Sequence, residues 1–99
     1  MILVAGAVQV KPEMRDAAIQ TALKMAQATQ AETGCITYKF YADLEDATTF
    51  FIFEAWESEE ALTQHFQTEH MAEFRQHLPG LLAGEMDVKR YDIEAVTTI

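Results

Sequence analysis

The sequence predicts a single α+β domain whose elements run strand, helix, strand, strand, helix, strand. Three observations carry that prediction. Cys35 to Ala42 and Thr48 to Trp56 alternate with the two-residue period of strands, and the short loop between them makes an antiparallel hairpin the economical connection. From about Pro12 to Glu32 the apolar residues recur instead at three-and-four spacing, as on the buried stripe of a helix. The chain has 99 residues, 49% of them hydrophobic, which suffices for one core and not for two. This order is that of the split βαβ, ferredoxin-like unit, with two helices on one face of a four-stranded antiparallel sheet.

Each element has a local reason. Ile2 to Val10 is β-favouring, with Ile2, Val4, Val8 and Val10 on one side and Leu3, Ala5 and Ala7 on the other. Lys11-Pro12-Glu13 stops that strand and opens the helix, because proline is tolerated in a first turn, where Glu13 and Asp16 also suit the positive end of the dipole. Met14, Ala18, Ala22 and Met25, with Ile19, Leu23 and Ala26 beside them, form its inward stripe. Gly34 ends it as the left-handed residue after the cap. The second strand sets Ile36, Tyr38 and Phe40 against Thr37, Lys39 and Tyr41, and Asp43 to Asp46 reads as a solvated turn. The third strand sets Phe50, Ile52, Glu54 and Trp56 against Phe51, Phe53 and Ala55. Ser58 caps a helix to about Thr68, and a further helical stretch from Glu69 is expected to break at Pro79-Gly80. Glu85 to about Ile93 suits an edge strand. The domain is taken as residues 1–99, with the core at about 1–93 and the last six residues a tail or an arm across a partner.

The formal charge of −9, from 16 acids against 7 bases, argues against nucleic acid or an anionic membrane as partner, since phosphate binding needs clustered Lys and Arg. One cysteine excludes a disulfide framework within the chain, and neither a leader nor a membrane span is legible, so a cytoplasmic setting is expected. The third strand is apolar on both faces, while two helices cover only one. Burying Phe51 and Phe53 is worth roughly 1.5 to 3 kcal/mol each, which makes a second copy the natural cover, and a face-to-face homodimer is predicted.

Candidate chemistry gathers on the covered face. Glu54 lies among Phe50, Ile52 and Trp56, where a carboxylate is costly unless paired or protonated. It reads either as a satisfied structural acid or as a pocket acid orienting a histidine. Trp56 is core or ligand platform. His65, between Leu62 and Phe66 on the inward stripe of the second helix, is either a satisfied core group or the base of a reaction. Tyr38 brings a hydroxyl to a position that is otherwise core, beside Phe40. His70, Phe74 and His77 share one helical face, but spacings of five and seven residues match neither a helical i, i+4 pair nor HExxH, so no metal site is expected. A single axial histidine between helix and sheet would suffice for haem. Cys35 lacks the neighbouring positive charge that activates a thiol and reads as packing.

The run Glu32-Thr33-Gly34-Cys35, then Tyr38, Phe50, Glu54 and Trp56, then Ser58, Glu60-Ala61-Leu62, His65 and Thr68-Glu69-His70 resembles the antibiotic biosynthesis monooxygenase (ABM) domain family, which includes quinol monooxygenases. The likeness covers nearly the whole chain, and its specific part is Glu-x-Trp followed nine residues later by His and five after that by another. The resemblance implies a ferredoxin-like subunit that dimerises through its sheets as a dimeric α+β barrel. It also implies oxygenation of a small quinol or phenolic, polyketide-like aromatic by dioxygen without flavin, haem or metal. Under that reading His65, Glu54 and His70 are catalytic: His65 the base, Glu54 its orienting carboxylate and His70 a second proton donor at the mouth. Trp56, Tyr38, Phe40, Phe66 and Phe74 would hold the ring. Haem-degrading members place an Asn near the start of the first strand, where this chain offers only Gln9 as an amide. The alternatives are haem binding or degradation, isomerisation of a carbonyl compound, and a non-catalytic dimeric binding module.

Overall fold

A computed structural model describes residues 1–99. The chain forms β1 (Ile2–Gln9), a 3-10 turn (Pro12–Met14), α1 (Arg15–Gln30), β2 (Cys35–Ala42), β3 (Thr49–Trp56), α2 (Glu59–Phe66), α3 (Glu69–Leu81) and β4 (Asp87–Asp92). The strands make one antiparallel sheet in the order β2-β3-β1-β4. This is the ferredoxin-like α+β arrangement expected from the sequence, with the second helical region split in two. The split has a local cause: Ser58 accepts a hydrogen bond from the Ala61 N–H to start α2, and Thr68 accepts one from the Met71 N–H to start α3.

Register decides which side chains meet. Ile2, Val4, Gly6 and Val8 of β1 stand opposite Trp56, Glu54, Ile52 and Phe50 of β3, and Tyr38 and Phe40 of β2 stand opposite Glu54 and Ile52. Directly opposed residues share a face, so this is the side on which Met25 and Ala26 of α1 and Ala61 and Leu62 of α2 pack to complete the main core. The other face carries Leu3, Ala5, Phe51, Phe53, Tyr41 and Tyr91, and no helix packs on it. Phe51, Tyr41 and Tyr91 are each about half exposed there, at 42%, 49% and 46%.

Four local expectations need correction. Ile36, expected beside Tyr38 on the covered face, falls at a bulge between Cys35 and Thr37 and is 51% exposed, and Leu23, expected on the inward stripe of α1, is 52% exposed. The 3-10 turn absorbs Pro12, and the regular helix begins only at Arg15. Pro79-Gly80 does not break α3, which continues to Leu81. A proline near a helix end forfeits a single N–H bond, and tertiary contacts hold the turn beyond it. The Leu82 N–H still donates to the Leu78 carbonyl, Lys11 N–H donates to Leu81 O, and Ala83 N–H donates to Gln9 O. Leu81 itself is buried against Val10 and Ala18.

Gly6 is required by close approach rather than by turn geometry. A methyl group there would overlap the Asp87 carbonyl oxygen and crowd the Val88 Cα, so β4 pairs with β1 only because position 6 lacks a side chain. Gly6→Ala is expected to destabilise the domain by about 1–3 kcal/mol, the usual cost of overpacking, in urea unfolding. The loss should be accompanied by faster amide exchange in β4.

Candidate active site

Between the helix-covered face and helices α2 and α3 lies a cavity of about 340 Å³, within the range of small-molecule sites. Its wall is mostly apolar, built from Val4, Val8, Phe40, Ile52, Leu62, Phe66, Met71, Phe74 and Val88. The pairing register places Tyr38, Glu54, Val4 and Arg90 in one row across all four strands. Tyr38, Glu54 and Arg90 all border the cavity, the Arg90 guanidinium being bonded to Asp92 and Glu59.

Glu54 is buried, and its Oε1 accepts a hydrogen bond of 3.0 Å from the Trp56 indole Nε1–H. Burial pushes its carboxyl up from the ordinary 4.5 to about 7. The indole hydrogen bond pulls the other way and the charge of Glu32 adds to the rise. Tyr38, fully buried, has its hydroxyl pushed well above the usual phenol range by burial, with Glu54 and Glu32 reinforcing it, so it remains a proton-bearing donor. The Cys35 thiol is raised by burial and by Glu32 and Glu54, as suits a packing residue.

The histidines stand elsewhere. His65 is fully buried behind Tyr38 and Phe66, with its ring 4.7 Å from the Trp56 ring and 5.6 Å from that of Tyr38. Its Nδ1 lies 2.8 Å from Glu32 Oε2, and His70 Nε2 lies 2.7 Å from the same oxygen. A carboxylate only accepts hydrogen bonds, so both nitrogens donate. Burial holds the His65 imidazole below its ordinary pKa against the opposing pull of Glu32.

The expected pairing of Glu54 with His65 is thus replaced by a pairing of Glu32 with both histidines. The reason is the indole between them: Trp56 gives its N–H to Glu54 and its ring face to His65, and so it forms neither a cavity wall nor a gap through which the two could meet. Glu32 arrives through the α1–β2 turn. Gly34, at φ +85°, reverses the chain there, lies against Ala61, and accepts a hydrogen bond from the Glu57 N–H, which seats the turn against the start of α2.

Of the residues expected at the site, Tyr38, Phe40, Glu54, Phe66 and Phe74 line the cavity, whereas Trp56, His65 and His70 do not. His70 borders a separate groove of about 240 Å³ between α1 and α3, with Lys24, Glu73 and His77. No histidine lines the cavity, so the axial histidine between helix and sheet considered for haem does not stand there. Sequence reading missed Glu32 as a functional residue because it follows the end of α1, outside any helical stripe. It missed Arg90 because β4 alternates weakly.

A four-stranded antiparallel sheet covered on one side by helices, with an apolar chamber and one buried carboxyl between them, defines a ferredoxin-like α+β domain. Residues 1–77 match the sequence model of the antibiotic biosynthesis monooxygenase family, ABM, and the chain belongs to that family. An uncharacterized protein of Synechocystis sp. is 37% identical over 98 residues, covering 99% of this chain and 67% of its own length. The Bacillus subtilis protein YcnE, named as a candidate monooxygenase, is 30% identical over 93 residues, covering 94% of this chain and 98% of its own. Among solved structures, a conserved protein from Methanosarcina mazei superposes with a TM-score of 0.88 at 30% identity, over 94% of this chain and 92% of that one. A Deinococcus radiodurans protein described as a candidate antibiotic biosynthesis monooxygenase reaches 0.93 at 24% identity, over 100% and 98% of the two chains, and speaks for the fold.

The raised Glu54 carboxyl has a stability signature. Between pH 4.5 and about 7 the folded chain keeps a proton there that the unfolded chain has released, so stability falls as pH rises through that window, by up to about 3 kcal/mol from this group. His65 contributes with the opposite sign. The difference between the chain and its Glu54→Gln variant isolates the carboxyl: urea unfolding across this range should show the variant losing less stability toward neutral pH.

Proposed function

We propose that the chain is a monooxygenase that oxidises a small quinol or phenolic aromatic with dioxygen, with no flavin, haem or metal in the reaction and Glu54 as the base. The observation that carries this reading is the Glu54 carboxyl, raised by burial to about 7, on the wall of an apolar cavity that Tyr38, opposite it on β2, also lines. A base poised near neutrality takes a quinol proton most effectively, and an apolar cavity keeps water from the reacting anion.

The chemistry balances without an outside reductant. The Glu54 carboxylate takes the proton of a ring hydroxyl, and the resulting anion is rich enough in electrons to reduce dioxygen. A carbon–oxygen bond forms at the neighbouring ring carbon, giving a peroxide that takes up the proton. Loss of water then breaks the oxygen–oxygen bond and leaves a hydroxyquinone. One oxygen atom enters the ring, the other leaves as water, and the quinol supplies all the electrons. The Tyr38 hydroxyl donates to the substrate oxygen as negative charge grows on it, while Phe40, Phe66 and Phe74 flank the ring.

In this reading His65 is a positioning residue. It packs on the indole that holds Glu54, and Glu32 holds it in turn. His70 shares Glu32 and stands apart from the substrate. A second copy of the chain covers the open sheet face, where Phe51, Tyr41 and Tyr91 are half exposed, and completes a face-to-face dimer.

Oxygen uptake with a panel of hydroquinones and naphthoquinols tests the proposal. Uptake should accompany a hydroxyquinone product carrying one atom from isotopically heavy dioxygen, and kcat/KM should rise with pH through about 7 as Glu54 ionises. Glu54→Gln should lower turnover by roughly 100-fold or more, within the range of general-base catalysis, with the fold retained by circular dichroism. Undiminished turnover in that variant would remove Glu54 as base, and turnover without oxygen would point instead to isomerisation.

A further inference from the structure

Outside the cavity, three metal-ligating side chains from three helical segments meet at one point. Glu32 comes from the turn after α1, His65 from α2 and His70 from α3. Glu32 Oε2, His65 Nδ1 and His70 Nε2 all lie within 4.8 Å of one another. The two ring nitrogens are 2.8 and 2.7 Å from that single oxygen. We propose that Glu32, His65 and His70 bind a divalent transition-metal ion, zinc foremost, through two imidazole nitrogens and one carboxylate.

Donor chemistry and geometry both favour that class of ion. Two imidazoles and a carboxylate are a recurrent protein set for zinc and its neighbours, leaving a fourth position to water, whereas calcium and magnesium prefer oxygen donors throughout. Zinc–nitrogen bonds of about 2.0–2.1 Å require tetrahedral donors about 3.3 Å apart. The carboxylate oxygen now sits where the two nitrogens converge, so the ion takes that place as the carboxylate steps back and the rings close inward. His70 can make that adjustment, since its side chain is 27% exposed, and Glu32, at 13%, opens the same way to solvent. His65, at 1% exposed and packed on Trp56 and Tyr38, is the fixed ligand. Each nitrogen that now donates a proton to Glu32 must present a lone pair to the metal, so each ring shifts its proton to its other nitrogen and the site loses no net charge.

The ion would tie the end of α1 to α2 and α3, where two hydrogen bonds to Glu32 now do so. It lies behind Trp56, away from the cavity wall, and the oxygenation proposed above does not pass through it. Local spacing conceals the site because Glu32 stands 33 residues before His65.

Calorimetric titration of the chelator-treated chain with zinc chloride, and absorption spectra with cobalt(II), test the proposal. One ion per chain is expected, with cobalt giving the intense visible bands of a low-symmetry four-coordinate site and zinc raising the melting temperature. His70→Ala and Glu32→Gln should each weaken zinc by roughly 100-fold, at the upper end of what even outer partners of metal ligands contribute. Cys35→Ser and His77→Ala should leave the affinity unchanged. Nitrogen-15 spectra of the imidazoles should show His65 ligated through Nδ1 and His70 through Nε2. Absence of stoichiometric binding, undiminished affinity in His70→Ala and Glu32→Gln, or loss only in Cys35→Ser or His77→Ala would each overturn it. Oxygen uptake by the Glu54→Gln variant answers separately for the function, since that substitution leaves the three ligands in place.

Discussion

A carboxyl walled off from water by aliphatic and aromatic side chains keeps its proton above the usual range, and the one hydrogen bond from the Trp56 indole to Glu54 offsets part of that burial while pulling the pKa back down. The cost of burying it is offset only if that bond survives. The bond survives only if the indole cannot turn. Trp56 is wholly buried, with His65 against its ring, and His65 is anchored to Glu32. The pKa of one side chain on β3 therefore depends on a turn at the far end of α1, through contacts that each have a stated distance.

The sheet divides the molecule into two unlike halves. Its helix side is built around Ile2, Met25, Tyr38, Ile52, Trp56 and Leu62, and the packing leaves a chamber lined on its sheet side by Val4 and Val8 of β1 and Val88 of β4. Its other side presents Leu3 and Phe53, partly buried, and Phe51, Tyr41 and Tyr91, each about half exposed. Apolar surface of that kind on both faces of one strand is unusual for a two-layer domain whose outer face meets water. The dimer proposed above follows from that imbalance and from no feature of the cavity.

Glu32 links the end of α1 to α2 and α3. Its carboxylate accepts hydrogen bonds from two imidazoles on successive helices, and the left-handed Gly34 that follows it brings the turn against α2. The same convergence that braces the fold brings together three good metal ligands. That cluster stands apart from the chamber wall but is joined to Glu54 through Trp56, so altering the bracing, or binding a metal there, bears on the carboxyl only indirectly.

Much of this was legible in the residue pattern. Two-residue alternation placed β2 correctly and β3 to within a residue, and it put Tyr38, Glu54 and Trp56 on the covered face, because a strand's period leaves only two faces to choose between. Helical periodicity found α1, and Ser58 marked the start of α2, whose cause is local; Gly34 is left-handed as expected but lies three residues beyond the Ala31 cap of α1. Pro79 misled because what retains the last turn of α3 is hydrogen bonding to β1 and to the loop after it, which no window of sequence contains. The partnership of Glu32 with His65 and His70, and its replacement of the expected Glu54–His65 pair, were equally invisible. Sequence determined the elements, their order and the presence of a carboxyl in an apolar strand, since these rest on neighbours a few residues apart. Only the tertiary structure decided which acid meets which histidine, because that depends on an indole filling the space between two groups that share a face.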